Sequence, residues 1–275
     1  MAKVGRTRFG AKSKASTAKT YDKVEGELAK IIEAIKDGAI VEEKKYWNKI
    51  MTCSIFTPLS GKRFCFYRQC QFFEKIKHHP LIKKIILVNT TKDDIFFDNS
   101  DSIYQKIFFP TNVSSYMCRA RTHDRINRKN EIHSTLASIY NLIFKYVETP
   151  FVWIIEDDNI PKIEHLDIFY KLYDERYIGI CSPYFYAHGE NYNIWLNSKD
   201  ENPLLKFIED KMIAEGGGFG SCFLNLKMMK KFQYNNQVNN DQKIWGLDVQ
   251  YFLENGPILT SKSLICKHLR EELII

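Results

Sequence analysis

The sequence predicts an α/β fold in which a mixed, mostly parallel sheet is flanked by helices. Two observations carry this prediction: apolar runs of strand length, typical of strands buried on both faces, and segments of helical periodicity that alternate with them. The chain has 275 residues, of which 44% are hydrophobic and 14% aromatic, and this is enough to bury a large core. We therefore expect one large domain with an appendage.

The appendage is predicted at residues 1–48 and the domain at residues 49–275. Residues 1–20 carry six basic and no acidic side chains among small residues, which predicts a mobile basic arm that cannot bury a core. These basic residues are Lys3, Arg6, Arg8, Lys12, Lys14 and Lys19. A helix is predicted at residues 21–36, where apolar side chains recur at helical spacing. The arm is either a solvated tail or a segment that docks on phosphate backbones, and composition does not separate the two.

The first βαβ unit is predicted between residues 50 and 94. Residues 50–58 are apolar and β-prone, residues 63–79 have helical periodicity, and residues 81–94 contain an apolar strand with a polar end. This order favours two parallel strands joined by a crossover helix.

A second helix and strand follow. The helix predicted at residues 131–147 has one apolar stripe and ends before Pro150. Residues 151–155, with the sequence FVWII, then read as another strand buried on both faces. This repetition of the pattern supports a parallel sheet with helices on both sides.

Three consecutive carboxylates, Glu156, Asp157 and Asp158, follow that strand directly. Ligands of open α/β sheets bind beyond the carboxyl ends of the strands. Adjacent carboxylates also repel one another, and a divalent cation or a polar ligand would compensate the repulsion. The alternative is an ordinary acidic loop that caps the next element through Asp158 or Asn159. The tripeptide alone leaves both interpretations open.

Six segments resemble, as an ordered set, those of the GT-A glycosyltransferases, which use a sugar nucleotide and usually Mn²⁺ or Mg²⁺. The resemblance covers about residues 49 to 270. The segments are SIFTP at 54–58 (first strand and nucleotide-facing loop), VNTTKDD at 88–94 (second strand with its acidic end), IIEDDN at 154–159 (the DxD region, in the E-D-D form of some N-acetylglucosaminyltransferases), AEGGGFGSCFLNLKMMKKF at 214–232 (glycine-rich acceptor-side segment), WGLDVQYF at 245–252 (helix with the catalytic base) and CKHL at 266–269 (late histidine).

The resemblance implies a GT-A fold, a nucleotide-sugar co-substrate, expected to be a UDP-sugar, and a site for Mn²⁺ or Mg²⁺. Asp158 and His268 are the implied metal ligands; by itself His268 would be an ordinary surface or strand-end histidine. The residues implied to contact the donor are Thr57, Pro58, Asn89, Asp93, Arg125, Glu156, Asp157, Gly217 and Gly218. In this sequence Asn159 stands where processive members of the family have their final acid.

Asp248, at the start of a helix predicted at residues 247–254, is implied as the base of an inverting hexosyl or pentosyl transfer. Such a base takes the proton of the acceptor hydroxyl. Asp241 is a weaker candidate for the same role. Without the resemblance, Asp248 would simply match the dipole at a helix N-terminus, and a retaining enzyme could use it for binding alone.

Two further segments have a functional and a plain structural interpretation. Gly216, Gly217, Gly218 and Gly220 would allow a sugar or base to approach the backbone closely, or would form a hinge or bulge. A basic cluster before the second helix would hold a diphosphate or a polyanion, or would be a solvated loop. Its members are Arg119, Arg121, Arg125, Arg128 and Lys129.

The acceptor predicted first is DNA that carries 5-hydroxymethylcytosine or a related base. The composition is rich in Lys, Ile, Asn and Phe, as in many phages and large viruses, and some phages glycosylate hydroxymethylated pyrimidines in their DNA. The basic arm would then hold phosphates without regard to sequence. A saccharide, lipid-linked or protein acceptor, and a nucleic-acid-binding module without catalysis, are the alternatives.

The expected location is the cytoplasm, which is the host cytoplasm for a viral protein. The apolar runs are too short to span a membrane, and the N-terminus lacks the apolar segment of a secretory signal. Seven cysteines without a C-x-x-C pair predict buried, reduced thiols.

Overall fold

The computed structural model describes residues 51–60, 63–91, 101–111, 125–185, 190–197, 203–235 and 246–269, with only the backbone at residues 125–129 and at residue 63. The chain divides into two units, Met1–Ile50 and Met51–Ile275, and all described residues belong to the second unit. The basic arm and helix predicted at residues 1–48 lie outside the described residues. The same holds for Asp93, Asp241, Arg119 and Arg121, so what was predicted for them stays a prediction.

The described part of the second unit contains twelve strands, eight of which form one sheet. The strands, in chain order, are β1 Cys53–Leu59, β2 Ile82–Asn89, β3 Tyr104–Phe108, β4 Phe151–Ile155, β5 Asn159–Ile160, β6 Gly179–Cys181, β7 Ile194–Trp195, β8 Met212–Ala214, β9 Gly216–Gly217, β10 Ser221–Asn225, β11 Ile258–Thr260 and β12 Lys267–His268. The sheet has the order β3-β2-β1-β4-β10-β6-β11-β8, and two smaller sheets pair β12 with β5 and β7 with β9.

The sheet is parallel in one half and mixed in the other. β3, β2, β1 and β4 are parallel neighbours, β10 is antiparallel to β4 and β6, β11 is parallel to β6, and β8 is antiparallel to β11. The predicted fold class is therefore confirmed. The antiparallel strand β10 begins opposite Ile155, at the carboxyl end of β4, because Ser221 pairs with that residue.

Helices lie on both faces of the sheet. They are α1 Arg63–Ile76, α2 Arg125–Tyr140, α3 Ile143–Tyr146, α4 His165–Leu172 and α5 Leu247–Asn255, with a 3₁₀ turn at Lys262–Leu264. Trp153 of β4 contacts Phe72 of α1 and Phe169 of α4, with ring centroids 5.9 and 5.3 Å apart. Phe56 is in register with Ile154, on the other face, and contacts Tyr140 of α2 at 6.4 Å.

Strand β1 continues through Pro58, two residues beyond the last residue that pairs with β4. The backbone groups of Cys53 and Leu59 form hydrogen bonds on the β2 side of the strand. On the β4 side, the Thr52 carbonyl accepts a hydrogen bond from the Phe151 N–H. Alternation places Pro58 on the β4 side, where pairing ends at Phe56. The missing N–H of Pro58 therefore removes no hydrogen bond from the sheet.

The helix predicted at residues 131–147 is longer at its start and is interrupted near its end. The α2 helix ends at Tyr140, and α3 is a separate turn. Asn141 lies between them and forms two hydrogen bonds with the backbone of Phe232, from Nδ2 to the carbonyl and from the N–H to Oδ1, both at 2.9 Å. The backbone hydrogen bonds tighten at this point, since the Leu142 N–H donates to the Ile139 carbonyl, three residues back, at 3.1 Å.

The helix predicted at residues 247–254 begins at Leu247 as predicted and is one residue longer at its end. It ends at Asn255, and Gly256 follows with a φ of +90°, a conformation that favours glycine. Among the helices within the described ranges, none is long and apolar enough to cross a membrane. The cysteines of the described residues are free thiols, and all except the half-buried Cys70 are buried.

Candidate active site

The three adjacent carboxylates after β4 diverge to different partners. Glu156 Oε1 accepts a hydrogen bond from the Tyr140 hydroxyl at 2.8 Å. Asp157 Oδ2 accepts from Ser60, and Asp158 Oδ1 accepts from Asn159 Nδ2 at 2.9 Å. Local hydrogen bonds thus stabilise this strand end, so the mutual repulsion of the carboxylates does not by itself require a cation.

Glu156 is held at both its backbone and its side chain. Gln69 of α1 donates from Nε2 to the Glu156 carbonyl at 2.8 Å, and the Glu156 N–H donates to the Gly220 carbonyl at 3.0 Å. Burial, followed by the charge of Glu156, raises the pKa of Tyr140 well above its ordinary value. The Tyr140 hydroxyl therefore keeps its proton and remains a donor to Glu156.

Asp157 joins the carboxyl ends of β4 and β1. Its Oδ2 accepts from the Ser60 N–H at 2.7 Å and from the Ser60 hydroxyl at 2.6 Å. The residue is buried and 97 positions from its partner in sequence. Asp157 is predicted to contact the donor, and the structure adds an internal role in fixing the loop that follows β1.

We expect Asp157→Ala to destabilise the protein by about 1.5–3 kcal/mol, the usual contribution of a hydrogen bond to a charged group, because it leaves the Ser60 N–H without this acceptor. Urea unfolding of the protein without ligand measures the effect. Ser60→Ala removes only the hydroxyl bond and should cost about 1 kcal/mol. Equal unfolding midpoints for Asp157→Ala and the wild type would contradict the internal role.

Asp158 and His268 lie side by side, as the resemblance implied. The β5–β12 ladder places His268 opposite Asn159, and the Leu269 N–H donates to the Asp158 carbonyl at 2.7 Å. Asp158 Oδ2 is 3.4 Å from His268 Nε2, and both side chains are 15% exposed. Two residues far apart in sequence thus present an oxygen and a nitrogen at one point.

The Asp158 and His268 pair fits a metal site whose remaining ligands would be phosphate oxygens of the substrate. Within the described part of the chain, no group of three or more His, Cys, Asp or Glu side chains could hold a metal ion. Mg²⁺ is commonly bound through one or two carboxylates together with phosphate oxygens, and Mn²⁺ accepts imidazole as well. A closed structural metal site does not fit this part of the protein, whereas an open site at Asp158 and His268 does.

The glycine segment packs against Tyr184. A Cβ on Gly218 would lie 2.3 Å from the Tyr184 hydroxyl oxygen, and a Cβ on Gly220 would lie 2.4 Å from the Tyr184 ring and 2.5 Å from Asn159 Nδ2. Tyr184 therefore lies directly against these two glycines, where a side chain in place of either hydrogen would clash. The contact of Gly217 and Gly218 with the donor stays a prediction.

Tyr184 is a central residue of the site that sequence reasoning missed. Its ring lies 5.2 Å from the His268 ring, and the side chain is almost fully buried. Burial raises the pKa of Tyr184 well above its ordinary value, and the charges of Glu156, Asp248 and Asp158 raise it further. The charges of carboxylates from two segments therefore act on one hydroxyl that keeps its proton. The sequence around Tyr184 contains several aromatic residues and no motif that distinguishes this one.

Asp248 lies in the first turn of α5 and faces the same cluster. Its Oδ1 accepts from the Val249 N–H at 3.0 Å, and a Cβ on Gly246 would lie 2.4 Å from that oxygen. His133 of α2, also missed by the sequence reasoning, accepts from the Leu247 N–H at its Nδ1 at 3.3 Å. The start of α5 is thereby fixed to α2 next to Asp248.

Three of the remaining predicted donor contacts, Thr57, Pro58 and Asn89, lie near the carboxyl ends of β1 and β2. Thr57 and Asn89 are fully buried, and Asn89 Oδ1 accepts from the Thr91 N–H and hydroxyl at 3.0 and 2.8 Å. Pro58 is also buried, and Arg125 is the first residue of α2. Asn89 thus has a local role in the turn after β2, and binding of the donor by these four residues stays a prediction.

No protein-family model and no curated protein sequence matches the chain. Among solved structures, it is similar to A197 from STIV, with 16% identity over 81% of this chain and 87% of the other and a TM-score of 0.43. It is similar to S. aureus TarS 1-349, with 10% identity over 78% of this chain and 59% of the other and a TM-score of 0.44. It is also similar to HddC from Yersinia pseudotuberculosis, with 12% identity over 76% of this chain and 89% of the other and a TM-score of 0.42. Likenesses at this level say nothing about activity or substrate.

Proposed function

We propose that the protein is a glycosyltransferase that moves a sugar from a nucleotide-sugar donor, a UDP-sugar first, to an acceptor hydroxyl. The observation that carries this proposal is that Asp158, His268 and Tyr184 lie together and that the charges of Glu156 and Asp248 act on the same tyrosine. The cluster lies at the carboxyl end of β4, the edge at which α/β sheets bind ligands. Transfer of a sugar from a diphosphate requires a metal ion or other cation at the leaving group and a base at the acceptor, and this cluster offers candidates for both.

The donor would bind along the carboxyl ends of β1, β2 and β4. Asp158 and His268 would hold Mn²⁺ or Mg²⁺, which when bound neutralises charge on the leaving diphosphate. Glu156 and Asp157 would face the ribose or base. The other proposed contacts are Thr57, Pro58, Asn89, Asp93, Arg125, Gly217 and Gly218.

Asp248 would act as the base in an inverting transfer. The acceptor oxygen forms a bond to the anomeric carbon of the sugar, the bond from that carbon to the diphosphate oxygen breaks, and the acceptor proton moves to Asp248. The nucleoside diphosphate leaves with the bonding electron pair. Fixation of α5 by His133 supports this role, because a base must be held within hydrogen-bond reach of its proton.

The proposed acceptor is a 5-hydroxymethylpyrimidine in DNA. Its support is the net charge of +7 and the six basic residues within residues 1–20, since basic arms bind phosphate backbones without sequence preference. A hydroxymethyl group supplies the acceptor oxygen. A base buried in a duplex would have to leave the base stack to reach the site.

A donor-by-acceptor screen tests the function and the acceptor separately. The purified full chain is incubated with Mn²⁺ or Mg²⁺, UDP- and GDP-sugars, and duplex DNA with or without 5-hydroxymethylcytosine, and released nucleosides are examined by mass spectrometry. We expect one added sugar on the modified base only. Donor hydrolysis with unchanged DNA would overturn the DNA acceptor and leave the transferase, whereas neither binding nor hydrolysis of any donor would overturn the transferase.

We expect glutamine at all six basic positions of residues 1–20 to weaken DNA binding and its salt dependence while donor hydrolysis persists. The affinity for duplex DNA, measured at several salt concentrations, checks this. The matched control replaces Lys227, Lys230 and Lys231, which are exposed on the second unit, with glutamine. An arm variant that binds and modifies DNA like the wild type would contradict a role for the arm.

A further inference from the structure

Two neutral hydrogen-bonding side chains meet beside Gly218. The Tyr184 hydroxyl oxygen and Asn193 Nδ2 would lie 2.3 and 2.9 Å from a Cβ on that glycine. Asn193 is 3% exposed, and its Nδ2 has no hydrogen-bond partner within the described part of the chain. A buried donor without a partner destabilises a protein, so a ligand or water that accepts from it is expected.

The rest of Asn193 is fixed by the backbone of its neighbours. Its Oδ1 accepts from the Tyr184 N–H at 2.7 Å, its N–H donates to the Tyr184 carbonyl at 3.0 Å, and its carbonyl accepts from the Gly218 N–H at 2.9 Å. With Oδ1 engaged, the amide group at Nδ2 is directed to the Gly218 side. The orientation of this donor is therefore set by three hydrogen bonds rather than by the ligand.

Tyr184 is close to one half of the proposed chemistry and within reach of the charge of the other. Its ring packs on His268, beside the proposed metal ligand Asp158, and the charge of Asp248, the proposed base, also acts on it. In a transfer reaction the sugar lies between the diphosphate and the acceptor hydroxyl. A group that lies near Asp158 and responds to the charge of Asp248 is therefore suited to contact the sugar.

We propose that Tyr184 and Asn193 bind the transferred sugar through its hydroxyl or acetamido oxygens and restrict the donor to uncharged sugars. This inference rests on the proposed function. The pair offers hydrogen-bond donors, which suit neutral sugar oxygens. Asp158 lies beside His268, on which the Tyr184 ring packs, and the charges of Glu156 and Asp248 also act on Tyr184. These charges would repel the carboxylate of a uronic acid, so the site would distinguish glucose from glucuronic acid by charge.

Binding measurements with matched ligands test the inference without requiring turnover. Isothermal titration calorimetry with Mn²⁺ compares UDP, UDP-glucose, UDP-N-acetylglucosamine and UDP-glucuronic acid, and GDP with GDP-mannose covers a guanine-nucleotide donor. We expect the wild type to bind at least one of the neutral sugar nucleotides about tenfold or more tightly than UDP-glucuronic acid, because burying an unpaired carboxylate among like charges is unfavourable.

Tyr184→Phe removes the hydroxyl and keeps the ring against His268. We expect it to weaken binding of the preferred neutral sugar nucleotide about tenfold, the effect of one hydrogen bond, while the affinity for the free nucleotide stays within about twofold. Asn193→Asp keeps the acceptor for the Tyr184 N–H, removes the Nδ2 donor and should act in the same direction. Tyr67→Phe, at a residue of α1 that is 71% exposed, is the control and should bind both ligands like the wild type.

The outcomes separate this inference from the proposed function. A wild type that binds nucleotide and sugar nucleotide, combined with Tyr184→Phe and Asn193→Asp variants that bind both equally well, would overturn the sugar contact and leave the transferase. Equal binding of neutral and acidic sugar nucleotides would overturn the charge selection. Equal losses of affinity for the nucleotide and the sugar nucleotide in the two variants would show that Tyr184 and Asn193 have a structural role. This result would also overturn the inference. A wild type that binds no nucleotide at all would overturn the proposed function itself.

Discussion

Asp248→Asn is expected to lower the rate of sugar transfer by about 10²- to 10⁴-fold, the usual contribution of a general base, with donor affinity near that of the wild type. The substitution removes the proton acceptor and retains an oxygen that can accept from the Val249 N–H, as Asp248 Oδ1 does at 3.0 Å. The helix should therefore keep its start. Single-turnover kinetics and calorimetric binding of the donor separate the two effects.

Glu254→Gln is the matched control for Asp248→Asn. It removes another carboxylate of α5 at an exposed position and should leave the transfer rate unchanged. Hydrogen exchange of the Leu247 amide, which bonds His133, reports whether the helix start is intact in both variants. An undiminished transfer rate in Asp248→Asn would exclude Asp248 as the base and leave Asp241 as the next candidate.

The parallel half of the sheet could be predicted because its strands are sequence-local patterns. FVWII is apolar throughout since β4 is covered by α1 and α4 on one face and by α2 on the other. The strand β10 could be recognised as apolar, but its antiparallel direction is set by its pairing with β4, which joins residues far apart in sequence. The end of α2 was missed because the apolar spacing of residues 131–147 continues through the interruption at Asn141.

The proximity of Asp158 and His268 was implied by the resemblance and not by any local pattern of the sequence. Nothing local to His268 indicates that it meets Asp158, because the two-residue strands β5 and β12 that join them have no pattern of their own. Tyr184 was missed for the same reason. Its position depends on contacts with Gly218 and Gly220, whose lack of a side chain admits the ring. The internal bond between Asp157 and Ser60 likewise has no local sequence pattern.

Asp158→Asn is expected to weaken binding of Mn²⁺ in the presence of UDP by about 10- to 100-fold, the range seen when even groups that support a metal ligand are removed, and to reduce transfer at least as much. Asparagine retains the oxygen that accepts from Asn159 Nδ2 and removes the charge that faces His268. His268→Gln should have a smaller effect in the same direction, because an amide oxygen can still coordinate Mn²⁺. Electron paramagnetic resonance of Mn²⁺ titrated into protein and UDP measures both.

A second pair of an aspartate and a histidine provides the control for Asp158→Asn. His79 Nε2 and Asp167 Oδ1 are 3.5 Å apart, nearly the separation of His268 and Asp158, and Asp167 is largely exposed. If an aspartate beside a histidine were sufficient to bind Mn²⁺, Asp167→Asn would reduce binding as well. We expect no effect there, because that pair lies outside the proposed site. If Asp158→Asn lowers stability but leaves Mn²⁺ binding unchanged, Asp158 and His268 have an internal structural role and do not bind the metal. The diphosphate would then need another source of positive charge. The basic cluster from Arg119 to Lys129 is the candidate for it.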